Sequence, residues 1–99
     1  GTVVIKATAS GNVALSALSV NTSTENVQSM SIRQIFFASD GNWTVARGSN
    51  TVAVLPGYGH WNLAGHGVSL NEFANGSLVY TLSGNGTIVL VCQKTSIPV

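Results

Sequence analysis

The chain has 99 residues, of which 44% are hydrophobic and 7% are charged, and its net charge at neutral pH is +1. This length suits one domain with a single core, and the hydrophobic fraction excludes a chain that is disordered throughout. The few cations are scattered, so we expect no nucleic-acid partner, because a phosphate track requires clustered positive charge.

The shortage of charge is the most unusual feature of the composition, since an average soluble domain has about 25% charged residues. A surface built from Ser, Thr, Asn and Gly is typical of a protein that is fixed in an assembly or lies outside a cell. The longest apolar run, residues 88–92, is far too short to cross a bilayer, so we expect no contact with a membrane. The single cysteine, Cys92, excludes an intrachain disulfide and alternates with apolar residues, which predicts a buried thiol.

Residues 1–20 predict two strands separated by a turn at Gly11-Asn12. In the first strand Val3 and Ile5 alternate with Val4 and Lys6, so the two pairs lie on opposite faces. We expect residues 1–10 to form an arm or an edge strand that contacts a partner chain. In residues 11–20 serines interrupt the apolar residues, which favours a strand, and a short helix is the alternative.

The central part of the chain, residues 27–70, predicts a meander of short strands that supplies most of the core. Alternation is lost at Arg33-Gln34, which indicates a β-bulge. Asp40-Gly41 predicts a hairpin, and residues 47–50 predict another turn. Pro56-Gly57 then predicts the end of the strand that follows that turn.

Both tryptophans are interpreted as core residues. Trp43 alternates in phase with Val45, and Trp61 alternates in phase with Leu63, so each pair faces one side of its strand. Rings of this size would supply much of the apolar area that a small core needs.

The C-terminal part of the chain predicts a hairpin turn at Asn75-Gly76 and a further turn at residues 83–86. The last strand is predicted over residues 87–94, with residues 95–99 as a tail. The turn signals give about eight short strands, and there is no room for the helical crossovers of a parallel sheet. The predicted fold is therefore all-β, a single domain over residues 1–99. It is expected to be a small antiparallel β-sandwich of jelly-roll or Ig-like type, or a partly closed barrel.

The residues predict no catalytic centre, no metal site and no cofactor. His60 and His66 lie among glycines, but a third metal ligand at a suitable spacing is missing. Asp40 and Glu25 have the surroundings of ordinary turn and loop residues, and Glu72 provides no facing partner for a glycosidase pair. No serine lies in a G-x-S-x-G pattern. We therefore expect a protein that is not an enzyme.

One long pattern carries a family resemblance. It reads I-x-F-x-S-D-G-x-W-T-V-x-R-G-x-N-T-V at residues 35–52, then L-x-G-x-G-x-W-x-L-x-G-x-G-x-S-L at 55–70 and G-T-I-x-L-V at 86–91. In this pattern the chain resembles small structural proteins of tailed bacteriophages. The resemblance implies a virion component, most directly a decoration (cement) protein on the outer capsid surface. Such a protein would bridge major capsid subunits, as a trimer or at a local symmetry axis.

For that role we expect contacts with the major capsid protein or with other virion subunits. The predicted contact residues are Thr2, Val3, Val4, Ile5, Lys6, Tyr58, His60 and His66. The alternative is a carbohydrate- or receptor-binding β-sandwich module, in a virion tail fibre or a secreted lectin-like protein. In that case Tyr58, His60 and Trp61 would form an aromatic platform for a sugar ring. A small hydrolase is the third class of function. It is the least favoured, because the sequence shows no nucleophile–base couple of the kind that a hydrolase needs.

Overall fold

The computed structural model describes residues 2–18, 25–63 and 75–98, and strands make up most of this part of the chain. The strands are β1 (Thr2–Ala7), β2 (Gly11–Val13), β3 (Glu25–Arg47), β4 (Asn50–Asn62), β5 (Leu78–Ser83) and β6 (Gly86–Pro98). One turn of 3-10 helix, Leu15–Leu18, follows β2. The all-β prediction is confirmed, with six strands in place of about eight. No helix among the described residues is long and apolar enough to cross a membrane.

The six strands form one antiparallel sheet that curls into a half-barrel. The long strand β3 is its axis, and β4 pairs along one side of β3 from Gln34 to Arg47. On the other side β3 pairs first with β6 and then with β5, so these two strands follow one another along the same side. Beyond them, β1 pairs with β6 and β2 pairs with β5. Across the sheet the order is therefore β4, then β3, then β6 and β5 end to end, then β1 and β2 end to end, and every pair of neighbouring strands is antiparallel.

The pairing is interrupted at about the same level in neighbouring strands. We call this interruption, at residues 40–41 of β3 and at Gly57 of β4, the crease of the sheet. In β3, Asp40 and Gly41 lie between the pairs Ser39↔Gly86 and Asn42↔Ser83. The backbone N–H of Asp40 donates to the carbonyl of Asn85 at 2.9 Å, which spans the gap. The hairpin prediction at Asp40-Gly41 is wrong. These residues form a bulge inside a continuing strand, and the chain does not reverse. Glycine is needed at position 41 because a Cβ there would collide with the carbonyl oxygen of Ser83.

A matching break lies in β4. Ala38 pairs with Tyr58 and Asn42 pairs with Pro56, so only Gly57 of β4 faces three residues of β3. Gly57 has φ +71°, a left-handed conformation that side chains with a Cβ rarely adopt. The prediction that Pro56-Gly57 ends the strand is wrong, because β4 bends there and continues to Asn62.

The two halves of the creased sheet enclose one core. Its fully buried members include Trp43, confirmed as a core residue, and Cys92, confirmed as a buried thiol. Inner positions of β3, β4, β5 and β6 supply the rest of the cluster: Met30, Ile32, Ile35, Phe37, Val45, Ala53, Leu55, Leu78, Ile88 and Leu90. The indole N–H of Trp43 donates to the carbonyl of Ala38 at 3.3 Å, so its burial leaves no unpaired donor.

Trp61 is the exception among the predicted core residues. It pairs with the buried Ile35, which is the inward phase that alternation predicts. However, β4 lies at the edge of the sheet, and Trp61 has a paired strand on one side only. It remains 38% exposed, so its assignment to the core is wrong.

Other local predictions divide between confirmed and wrong. The bulge at Arg33-Gln34 is confirmed by a register shift between Ile32 and Gln34, and the turn at 47–50 is confirmed as the β3–β4 hairpin with Gly48 at φ +61°. The turn at Gly11-Asn12 is wrong, since both residues belong to β2. The strand favoured after it is a 3-10 turn, and the predicted C-terminal tail belongs to β6 as far as Pro98.

Candidate functional site

The outward face of the sheet carries an apolar surface that runs across four strands. Because Ile35 and Phe37 point into the core, the residue between them, Phe36, points outward. The pairing register then aligns Lys6, Val89, Phe36 and His60 in one row. Neighbouring rows add Val4 and Val91 on one side, and Ala38 and Tyr58 on the other. We call the following residues the outer patch: Val4, Phe36, Ala38, Tyr58, His60, Val89 and Val91.

Aromatic rings form the centre of the outer patch. The rings of Phe36 and His60 are stacked, with centroids 4.0 Å apart and planes 10° from parallel. His60 Nε2 lies 3.1 Å from Gln34 Oε1, which fixes the orientation of the imidazole over the phenyl ring. Cross-strand pairs of this kind contribute to sheet stability and hold both rings in one position. The two rings are thus already ordered before a partner binds, which lowers the entropic cost of binding.

Several side chains of the outer patch are unusually exposed for their type. Tyr58 is 87% exposed, Val4 is 53% exposed and Phe36 is 41% exposed. Isolated exposed hydrophobic residues are common, but a contiguous group on one sheet face is typical of an interaction surface.

A shallow depression of about 200 Å³ lies within the outer patch. Its lining residues are Phe36, Phe37, Ala38, Gly59, Thr87 and Val89. Gly59 pairs with Phe37 and lies on its inward face, where a Cβ would come within 2.9 Å of the Phe37 ring, so glycine is needed at this position for the packing of Phe37. Because the lining of the depression is mostly apolar, the depression can receive an apolar side chain or the face of a small ring.

The outer patch has little charge. Among the described residues, Lys6 is the only lysine, arginine, aspartate or glutamate in these rows, and two of the four Lys and Arg residues of the chain, Arg47 and Lys94, are buried elsewhere. The nearest exposed carboxylate along β3 is Asp40 at the crease. The backbone N–H of Asn85 donates to this carboxylate and lowers the pKa of Asp40 below its ordinary value. Docking on the outer patch would therefore desolvate few charges.

The structure brings most of the sequence-predicted contact residues onto one face. Val4, Lys6, Tyr58 and His60 share the rows of the outer patch, and Thr2 is exposed at its end, opposite Gln93. The remaining three differ. Val3 and Ile5 point inward and pack against the core, which leaves them only partly exposed, and His66 lies outside the described residues. That any of these residues contacts a partner stays a prediction.

Sequence reasoning missed Phe36, Val89 and Val91. A signal was present in the run Ile35-Phe36-Phe37, because alternation in a strand forces the middle residue of three onto the opposite face from its neighbours. The register that brings β6 beside β3 supplies the two valines, and pairing between distant segments is not encoded in a local pattern.

No group of three or more His, Cys, Asp or Glu side chains in residues 2–18, 25–63 and 75–98 is placed to hold a metal ion. Burial raises the pKa of the Cys92 thiol to about 11, and the nearby Arg47 only partly offsets this effect. The thiol is therefore protonated at neutral pH and shielded from reagents. What the outer patch can do is bind by shape and apolar contact.

The chain matches no protein-family model, no curated protein and no solved structure. Its function is inferred from the fold, the outer patch and the sequence pattern.

Proposed function

We propose that this protein is a non-enzymatic virion component, a decoration protein that binds the outer surface of a tailed-phage capsid and bridges major capsid subunits. The observation that carries this proposal is the outer patch, an apolar, weakly charged and rigid surface on a sheet whose core lies on the other face. The phage-like sequence pattern at residues 35–52, 55–70 and 86–91 supplies the viral context.

The physical requirements of capsid decoration fit this surface. Burial of exposed apolar area contributes roughly 25 cal/mol per Å², which from one small patch gives modest affinity after the cost of association. A symmetric shell repeats the same contact many times, so modest affinity per copy is sufficient for full occupancy when copies also touch neighbours. A rigid sheet face with few charges limits the two main costs, which are ordering and desolvation.

The test uses capsid shells from the phage that encodes the chain, stripped of this protein. The variant Phe36→Ser/Tyr58→Ser removes the two largest apolar side chains of the outer patch. We expect at least a tenfold loss of shell binding in co-sedimentation, and loss of the corresponding density in cryo-electron microscopy of the particles.

Val54→Ser is the matched control. Val54 is 56% exposed and lies on β4 beyond the crease. The substitution Val54→Ser therefore removes an exposed apolar side chain that lies outside the outer patch. Both variants must retain the circular dichroism spectrum of the parent chain. Equal shell binding by parent and double variant would reject the proposal.

A second candidate, a carbohydrate- or receptor-binding module, is favoured by one observation. The stacked rings of Phe36 and His60 beside the 87% exposed Tyr58 offer flat aromatic surfaces on which the apolar face of a sugar can lie. A glycan array with the parent chain and Tyr58→Ser separates the two functions. Glycan binding that is lost in Tyr58→Ser, together with no affinity for shells, would establish this second function instead.

A further inference from the structure

The edges of the sheet differ in how well they are protected from pairing with another strand. An edge strand leaves main-chain N–H and C=O groups unpaired, and proteins usually interrupt such edges with proline, bulges, short strands or charge. In the described part of the chain, the edges are β1, β2, the outer side of β4 and the stretch of β3 before Gln34.

Three of these edges are interrupted. β4 contains Pro56, which has no N–H to donate, next to Gly57 in a left-handed conformation. The first stretch of β3 has two register shifts, one after Val27 and one after Ile32. β2 has only three residues. The longest regular stretch among them, residues 58–62 of β4, has five residues and includes Gly59.

β1 is different. Its six residues pair with β6 in unbroken register from Thr2↔Gln93 to Ala7↔Ile88, without proline, glycine or a bulge. Its one charged side chain is Lys6. β1 is therefore the regular edge on which another strand can add.

We propose that a second copy of this chain pairs antiparallel along β1, about a two-fold axis at Val4. Strands can extend a sheet only when opposed residues point to the same face, so the residue numbers of each pair must sum to an even number. An axis at Val4 satisfies this condition, placing Val4 opposite Val4 of the second copy and Lys6 opposite Thr2 of the second copy. The two ammonium groups are then kept apart, and the cross-strand partners of Lys6 carry no charge.

A second copy is the occupant that this edge fits best. Most homodimers have a two-fold axis, and two identical edge strands related by such an axis satisfy one another's main-chain groups. A net charge of +1 per chain gives little repulsion between copies. The exposed Val4 residues, each 53% exposed alone, would cover one another and join the two outer patches into one continuous face. The inference is independent of the capsid role, and its test uses no capsid.

The test is the mass of the full chain in solution by sedimentation equilibrium, from about 10 µM to about 1 mM, since five paired residues per strand form an interface at the small end of specific ones. We expect the mass to rise from 10.2 kDa toward twice that value. Deuterium exchange at high concentration should show added protection in β1. A chain that stays monomeric at 1 mM, or that forms trimers, would overturn the inference.

Variants at Val4 test the position of the axis. Val4→Lys places two cations opposite each other on an exposed site, and we expect at least a tenfold weaker dimer, with unchanged thermal unfolding at concentrations where both chains are monomeric. Mixing Val4→Lys with Val4→Glu should restore association as a heterodimer, because the opposed charges then attract. The control Val54→Lys, on the edge strand β4, should dimerise like the parent. Dimerisation of Val4→Lys at parental affinity, or no recovery in the mixture, would contradict an axis at Val4.

Discussion

The inner and outer faces of the same strands use apolar residues for different purposes. Within three consecutive residues of β3, Ile35 is 0% exposed and Phe37 is 9% exposed, whereas Phe36 between them is 41% exposed. The inner pair belongs to the core that closes the half-barrel, and Phe36 touches only its neighbours on an open surface. The comparison shows that apolar content beyond what the core needs is concentrated on one face, where it is available for contact with another molecule.

The two faces also treat positive charge differently. On the outer face Lys6 is solvated, whereas on the inner face Arg47 is 1% exposed. The guanidinium of Arg47 donates from Nε and Nη2 to the carbonyl of Gly76, at 3.2 and 2.9 Å, and from Nη1 to the carbonyl of Met30. It thereby joins the turn before β5 to the first half of β3. Burial lowers the pKa of Arg47, yet arginine remains charged at neutral pH.

The largest expected effect is the loss of an inner aromatic ring. Trp43→Ala should lower the free energy of unfolding by about 3–5 kcal/mol, because a fully buried indole leaves a cavity in the core. Phe36→Ala, on the outer face, should lower it by about 1 kcal/mol or less. Urea unfolding followed by circular dichroism measures both. Similar losses in the two variants would show that the outer face stabilises the fold as the core does.

The next effect concerns charge on the two faces. Arg47→Met should cost about 2–4 kcal/mol of unfolding free energy, since it leaves the carbonyls of Gly76 and Met30 without their donor. Lys6→Met is the matched change on the outer face, and we expect a change within about 0.5 kcal/mol. Chemical denaturation at neutral pH is the measurement. A tolerated Arg47→Met would mean that these bonds add nothing to stability.

A smaller effect should appear at alkaline pH and should come from the inner face alone. The pKa of Cys92 is about 11 in the folded chain against an ordinary value of 9.0. Below pH 9 both states keep the proton, but between pH 9 and 11 the unfolded chain loses it first. Stability should therefore fall by roughly 2–3 kcal/mol as pH rises through this window, and the slope should then end.

The alanine variant at this position isolates the thiol. Cys92→Ala will be less stable than the parent at every pH, but its unfolding free energy should lack this part of the alkaline loss. Urea titrations at intervals from pH 8 to 11 compare the two slopes. Parallel curves would assign the alkaline dependence to other groups.

The smallest effect belongs to an exposed group at the crease. Hydrogen bonds from Asn85 lower the pKa of Asp40 below its ordinary 3.8, so the charged form favours the folded chain. This contribution is present above pH 3.8 and is lost as pH falls through the folded pKa. Asp40→Asn should reduce the acid dependence of the urea midpoint between pH 5 and 2. An unchanged acid slope in this variant would show that the bond at the crease does not stabilise the fold.

Local alternation was enough to predict the class of fold and much of its core. Alternation correctly predicted that the side chains of Trp43 and Cys92 point into the core. The break in alternation at Arg33-Gln34 correctly predicted a β-bulge. The buried Arg47 also follows the inward phase of Trp43 and Val45, so a charged residue in a core position was visible in the sequence.

What the sequence could not reveal is how turn-forming residues are used. Asp40-Gly41 and Pro56-Gly57 both tolerate unusual backbone angles, and such angles suit a hairpin, a bulge or a bend equally well. Their use as a crease depends on the partner strand that passes beside them, which is set by contacts far away in the chain. The outer patch depends on the same long-range register, because it exists only once β6 lies between β1 and β3.

The position of β6 has a consequence for how the chain acquires its structure during synthesis. The first half of β3 pairs with β6 as far as Glu25↔Pro98, so the run of Met30, Ile32, Ile35 and Phe37 has no hydrogen-bonded neighbour on that side until β6 is made. Contacts between such distant segments are associated with slow folding, on the scale of milliseconds to seconds. Until β6 emerges from the ribosome, we expect this exposed apolar segment to be a site for chaperone binding or for aggregation.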